Sequence, residues 1–364
     1  MVAVIDDNTV YSSNTLTSDR PLLEGHAYHM YATWNGKELR FGRNEESSLP
    51  LIKMLQPQGT MTYDELFGKE GNSTVLFEWQ PLTLDCSISY TLEMIADTPD
   101  GQQRTVVASG IEGATCEHNL SSTAGLKDAL RVSYCVKAYD QSQPDKLVAS
   151  SGDILLFENL STPVPNFVDL GLPSGTLWAT QNLGAKNNMD FGNYYAWGIT
   201  SGYNEGKSCF AWKYYDLCKG ANNKLTRYCT KSVYGNNGFT DDITQLKGSD
   251  DAVSRLWGYQ YAIPTKSDWE ELMTLCSWTS YINNTVLVKG PNGNSIVLPA
   301  AGYRSSYDLL YAGSEGYYWS STLDAESPDD AWMMHVSFID ARPSLYSYYR
   351  CQGRSIRPVK HIEQ

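Results

Sequence analysis

From about Ser73 the middle of the chain alternates apolar and polar positions: Val75, Phe77 and Trp79, then Tyr90, Leu92 and Met94, then Val132, Tyr134, Val136 and Ala138. A period of two places each set on one face of an extended strand, so the pattern predicts half-buried strands packed as a β-sandwich over residues 48–160. Cys135 has the opposite parity from Tyr134 and Val136 and is expected to point outward. Ahead of this region, Gly25 to Phe41 (GHAYHMYATWNGKELRF) reads as a hairpin. Its turn, Asn35-Gly36, supplies the positive backbone angles a tight reversal demands. Residues 1–47 are therefore a β-hairpin segment or the tail of a preceding β-domain. Ser161 to Asn166 (STPVPN) is a Pro-broken connector to the last domain.

Residues 161–364 have a different texture, dense in Gly, Tyr and Trp. Pro264 and Thr265 mark the start of a helix, Asp268 and Glu270 sit where acidic groups favour a helix N-terminus, and Trp269, Leu272, Met273 and Cys276 recur at i, i+3, i+4 and i+7. One amphipathic helix among many short strands predicts an α+β layout. Trp178, Trp197, Trp269 and Trp319 are assigned to its core, and Gly171, Gly175, Gly302 and Gly316 to turns or close backbone approaches. Arg357, beside the last strand, is expected to hold loop carbonyls through its fork of donors.

Composition narrows the function. The 364 residues, 41% hydrophobic, suffice for two or three domains with real cores. The 25 Tyr and 10 Trp against 9 Phe suit a contact surface as well as a core. A net charge of −13 repels phosphate backbones and anionic headgroups, which argues against nucleic-acid and membrane-surface partners. No apolar run is long enough to span a bilayer, and Met1 to Arg20 lacks the charged and apolar regions of a secretory signal. An export signal or lipid anchor would then belong to a removed N-terminus.

Little catalytic or metal chemistry is visible. The eight cysteines contain no C-x-x-C pair, so neither a structural zinc site nor a thioredoxin-type motif is expected, and no cofactor is implied. Cys218 and Cys229 flank Lys219 to Tyr228 and either bridge that loop or remain free thiols. His26 and His29 lie on one strand with opposite parity and do not converge on a metal. Gly171 to Gly175 (GLPSG) has its Ser one place late for a nucleophile elbow, and nothing singles out a carboxylate pair among the 41 acids.

A run of motifs carries more information: FVDLGLPSGTLWAT (167–180), NLGA (182–185), FGNYYAWG (191–198), IPTKSDWEEL (263–272), LPAAGYR (298–304), GSEGYYWSST (313–322) and GRSIRPV (353–359). In that order they resemble the Fibrobacter succinogenes major paralogous domain, a repeated surface domain of Bacteroidetes, over about half the chain. The alternating segment before it resembles a fibronectin type III or SusE-like β-sandwich. The resemblance implies a multidomain protein: an immunoglobulin- or fibronectin-like sandwich, then an α+β domain with the fold of C-type lectins and formylglycine-generating enzymes.

That family carries no agreed activity. The copper-binding cysteine pair of the formylglycine-generating relatives is not reproduced, since Cys351 has no second Cys in the preceding seventy residues. By analogy with the bond that closes lectin-like domains, Cys351 either pairs with Cys276 or both stay free. Of the calcium-site motifs of true C-type lectins, Gln143-Pro144-Asp145 falls in the sandwich and Ser327-Pro328-Asp329-Asp330 reads as an acidic turn. The ligand face of such folds corresponds to Thr322 to Arg350, with Tyr346, Tyr348, Tyr349, His335, Asp340 and Arg342 as candidate contacts. The alternative is that alternate tyrosines of that strand are packed and the others merely solvated. The implied function is an exported, cell-surface binding or adhesion protein, not an enzyme, recognising a glycan or surface protein at the extracellular or outer-membrane face. The rival readings are a structural or tip subunit of a surface fibre, and an enzyme of formylglycine-generating or carbohydrate-active type.

Overall fold

The structure, a computed structural model, describes residues 49–361 apart from 69, 161, 162 and 204, together with the backbone of four short N-terminal strands. Strand β1 (Val2–Val4) pairs antiparallel with β2 (Val10–Ser12), and β3 (Ala32–Trp34) with β4 (Leu39–Phe41). The second pair is the hairpin expected around Asn35-Gly36. The rest of residues 1–48, His26 and His29 included, lies outside the described residues.

The alternating segment forms two sheets facing each other across one core. One has the order β10 (Thr115–Asn119), β7 (Thr74–Trp79), β5 (Met54–Gln56). The other runs β6 (Met61–Thr62), β13 (Ile154–Glu158), β11 (Arg131–Asp140), β8 (Ile88–Thr98), β9 (Gly101–Ile111), with β12 (Gln143–Ser150) pairing the second half of β11. Every apolar residue of the period-two pattern is buried in the core between them. Phe77 meets Tyr134 across the gap at 5.0 Å, and Trp79 packs on Tyr90 at 5.0 Å. Each such large side chain contributes about 1.5–3 kcal/mol by leaving water. A five-residue helix, α1 (Tyr63–Phe67), closes one end through a Thr62/Glu65 capping box and buried Leu66.

Cys135 departs from expectation. Parity does turn it away from Tyr134, but it is buried. The outer face of β11 is roofed there by the Arg104–Glu93–Lys137 ion-pair cluster and by Ser150, whose hydroxyl lies 3.5 Å from the thiol. Parity fixes the direction of a side chain and says nothing of what covers it.

Residues beyond the connector build several small sheets around two helices. Strands β14 (Phe167–Asp169), β15 (Leu177–Ala179), β25 (Val359–Lys360) and β16 (Tyr261–Ala262) form one sheet in that order. β17 (Ser277–Tyr281), β18 (Thr285–Lys289) and β19 (Ser295–Pro299) form a meander; β20 (Tyr303–Ser305) and β21 (Asp308–Leu310) a hairpin; and β22 (Glu315–Leu323), β23 (Asp330–Ser337) and β24 (Pro343–Tyr349) a second meander. The expected helix is α3 (Lys266–Leu275), whose Thr265 cap and Asp268 form a capping box. Trp269 and Leu272 are buried, with Trp269 against Trp178 at 4.7 Å and Tyr318 at 5.9 Å. A second helix, α2 (Ala252–Trp257), was not read from the sequence. Its signals were Asp251, which accepts from the amides of Val253 and Ser254 as N-cap, and Gly258 at the C-cap with φ +98°.

The segment 350–360 passes through the centre of this half and is almost wholly buried. Arg350 O accepts from Trp197 N, Arg354 exchanges two backbone bonds with Tyr195, and Gly353 does the same with Arg304. Ser355, Ile356 and Pro358 carbonyls accept from Trp319, Leu183 and Ala179. The Arg357 guanidinium donates to Asn182 Oδ1 (3.0 Å), Ala179 O (2.9 Å) and Val297 O (2.8 Å), as expected of it. Burial pushes its ionisation down to about 10, so it stays charged at neutral pH. The two halves meet at Arg131, whose Nε donates to Glu158 (2.7 Å), whose Nη1 donates to Trp257 O (2.8 Å), and whose guanidinium lies over Tyr261. Ser249 N bonds Asp100 nearby at 2.8 Å.

Replacing Arg357 by Met keeps most of the volume and strands three buried acceptors. The expected outcome is a loss of about 3–5 kcal/mol, measured by urea unfolding followed through tryptophan fluorescence.

Candidate functional site

The second meander defines a face. Its register sets Tyr317 opposite His335 and His335 opposite Ser344, Trp319 opposite Met333 and Met333 opposite Tyr346, and Ala331 opposite Tyr348. Directly opposed residues share a side of the sheet, so Tyr317, His335, Tyr346 and Tyr348 project together. Tyr318, Met334, Val336 and Leu345 project the other way, into the core that holds α3. Tyr346, Tyr348 and Tyr349 are 53%, 47% and 42% exposed, which makes them surface rings on a packed strand. Tyr349 has the parity of the core side, but at the strand's end it turns to meet Trp212 at 5.9 Å and Tyr348 at 5.1 Å.

His335 belongs beneath this surface. It is half-buried, with Nε2 3.3 Å from Glu315 Oε2, Nδ1 3.2 Å from Ser344 Oγ, and its ring between Tyr317 (4.8 Å) and Tyr346 (5.9 Å). Ser344 and Glu315 hold the two ring nitrogens, and the ring itself packs between the two tyrosines. Glu315 also accepts from the Tyr317 hydroxyl, and burial together with that carboxylate raises the Tyr317 ionisation well above the ordinary phenol range. Asp340 and Arg342 do not join the group. They pair with each other at 3.7 Å in the turn before β24, with Arg342 fully in solvent. Seven positions of extended chain separate Arg342 from Tyr349, about 23 Å at 3.2–3.4 Å per residue.

The residues that complete the face were not singled out in the sequence. Tyr303 and Tyr311, on either side of the β20–β21 hairpin, stack at 6.0 Å, and Tyr303 meets Tyr317 edge-on at 4.9 Å. The hairpin returns tightly because Gly302 takes φ +62°, where a Cβ would lie 2.1 Å from Leu310 O. Tyr311, Tyr307 and Tyr214 are exposed along with the β24 tyrosines. Beneath the rings lies Arg354, its guanidinium 4.2 Å from the Trp319 ring centre, 5.4 Å from Tyr303 and 5.7 Å from Tyr348. Its Nη2 donates to Gln352 Oε1 (2.7 Å), while Nε and Nη1 have no hydrogen-bond partner among the described residues. The rings therefore supply much of its stabilisation, and burial pushes its ionisation down to about 10. Arg350 repeats the pattern next door, donating to Tyr228 O, Pro328 O and Arg227 O while lying over Trp197 and Tyr215. The available sequence signal was three arginines within eight residues of an otherwise small and apolar stretch.

Of the two alternatives left open for each cysteine pair, the structure has the free thiols. All eight thiols are free. Cys276 sits in the core around Trp178 and Trp269, and Cys351 in a separate one with Cys218 and Cys229, so the Cys276–Cys351 bridge is not made. Cys218 donates to Trp212 O and Tyr215 O, whereas Cys229 donates to Lys231 O. The loop they flank is closed by backbone bonds instead, Lys219 N to Lys224 O and Thr226 N to Leu217 O. Among the described residues no group of three or more His, Cys, Asp or Glu is arranged to hold a metal. Asp329 of the acidic turn is buried and accepts from Asn222 at 2.8 Å. Among the described residues no helix is long and apolar enough to cross a membrane.

No family model matches the chain, and no curated protein sequence matches it.

Burial pushes the Cys276 thiol up to about 11 and the Cys351 thiol up to about 12. Both are expected to resist iodoacetamide at pH 8 in the folded protein and to react after unfolding, read by peptide mass spectrometry. A reductant should leave the melting temperature unchanged; a fall of several degrees would mean that bridges form.

Proposed function

We propose that the protein is an exported cell-surface binding protein, in which a two-sheet stalk presents a lectin-like tip that recognises a glycan or a surface protein. The observation that carries this reading is the tyrosine face. Tyr311, Tyr346, Tyr348 and Tyr349 are all exposed; Tyr311 and Tyr346 connect through Tyr303, Tyr317 and His335, and Tyr348, packed on Tyr349, shares the buried Arg354 guanidinium with Tyr303. Rings offering wide contact with few rotatable bonds, anchored on a rigid sheet, are what a recognition surface requires. The motif likeness to the major paralogous domain supports a surface location and a lectin-like fold.

A second reading, a subunit of a surface fibre, draws support from β9. It is an eleven-residue strand at the end of its sheet with residues 102–106 exposed, the kind of edge that accepts a strand from another chain.

The test is a glycan and host-protein array probed with the whole chain and with a variant carrying Tyr346→Ala, Tyr348→Ala and Tyr349→Ala, checked for folding by near-UV circular dichroism. The expected result is binding by the parent and a loss of roughly 30-fold or more in the variant, the scale of one interface hot spot. Binding that survives in the variant would remove the face from the reading. Concentration-dependent polymers with no array ligand would favour the fibre subunit.

A further inference from the structure

At one end of the tyrosine face a groove of about 640 Å³ opens between Ser201, residues 206–218 and Tyr307 at the tip of the β20–β21 hairpin. It is a built feature. Phe210 and Ser306 exchange two backbone hydrogen bonds, 2.9 and 3.0 Å, that pin the hairpin tip against the groove wall. On its floor Lys207 is 8% exposed; its ammonium donates to Tyr214 O and, at 3.2 Å, to Asp216 Oδ2. Asp216 itself faces solvent, with 68% of its side chain accessible. An ammonium with one donor to spare and a carboxylate with most of its acceptor sites open therefore sit side by side. Ser201 and Ser208 add hydroxyls, and Tyr214 (45% exposed) and Tyr307 (64% exposed) stand at the rim.

We propose that this groove is a saccharide subsite that takes one or two pyranose units. The assignment rests on the reading of the tyrosine face as a ligand surface and names the class of ligand. A pyranose has an edge of hydroxyls, each both donor and acceptor, and a face of C–H groups. The Lys207–Asp216 pair and the serines answer the first, and the exposed rings of Tyr214 and Tyr307 the second. A peptide anchor would want a dry apolar pocket; the apolar wall here is Tyr215, Cys209 and Cys218, all buried. The volume falls within the roughly 300–1,000 Å³ of small-ligand sites. The groove also continues into the face, because Trp212, two residues before Tyr214, packs on Tyr349. A longer chain of sugars would lie from the groove along the tyrosines.

The experiment is saturation-transfer NMR on the whole chain with glucose, galactose, mannose and N-acetylglucosamine and their di- and trisaccharides at millimolar concentration. Tyr307→Ala and Asp216→Asn probe the groove. Ile339→Ser, at a position 91% exposed in the turn before β24, is the control. At least one sugar is expected to bind, about five- to tenfold more weakly in Tyr307→Ala, the size of one lost ring contact, more weakly in Asp216→Asn, and unchanged in the control. No saturated sugar, or binding indifferent to both groove variants in folded protein, overturns the assignment. A protein partner that is released by the Tyr346/Tyr348/Tyr349 variant while no sugar binds would also overturn it, and would leave the proposed function standing. Sugar binding lost in the groove variants and kept in the triple-tyrosine variant would uphold the groove and withdraw the tyrosine face.

Discussion

The C-terminal half depends on one constraint: a polar, arginine-bearing segment, 350–360, must run through its middle with no water to satisfy it. Its backbone does so by bonding to Tyr195, Trp197, Leu183, Ala179, Arg304 and Trp319, residues drawn from segments that otherwise share little regular structure. Small sheets of two to four strands cannot organise one another by pairing alone. The buried segment is the common partner that gives them fixed positions, and its three guanidiniums extend that role to carbonyls and rings beyond backbone reach. Buried charges of this kind are costly to desolvate, and that cost offsets part of what their hydrogen bonds contribute. Their effect here is positional, since each donor or ring contact is met in a single arrangement.

The same constraint explains why the face is tyrosine-rich and stiff. Arg354 supports Tyr303 and Tyr348 from below, while Glu315 and His335 hold Tyr317 and Tyr346 from the side. Tyr346 and Tyr348 are exposed yet held by these contacts, so few rotamers remain to be lost on contact.

How much of this could be read from the residues varies with the range of the interaction involved. Strand parity and helix periodicity are local, and they located the paired sheets of the N-terminal half, the hairpin at Ala32–Phe41 and α3 with its cap at Thr265. The exposed β24 tyrosines and the role of Arg357 were also legible, because a tyrosine-rich strand and an Arg beside a buried terminus each admit few placements. Helix α2 was missed for lack of length: six residues hold too little periodicity to rise above the Gly- and Tyr-rich background. The grouping of Asp340 and Arg342 with the tyrosines failed because closeness in sequence along an extended strand is distance in space. The burial of Cys135 and the choice between bridged and free cysteines were not legible, because cover and partnership are set by segments that meet from far away in the sequence. Tyr303, Tyr311 and Arg354 converge from separate segments, brought together by backbone bonds from Gly302 to Glu315 and from Arg304 to Gly353.

The Arg131 joint has a mechanical side. The two halves are joined covalently by the connector around residues 161–166, and beside it by the bond from Arg131 to the carbonyl that ends α2. Arg131 is the first residue of β11, a strand with neighbours on both sides. A pull that draws the two halves apart is therefore divided. Part travels down the connector, and part enters a central strand whose ladder of hydrogen bonds on both sides must slip together before it yields.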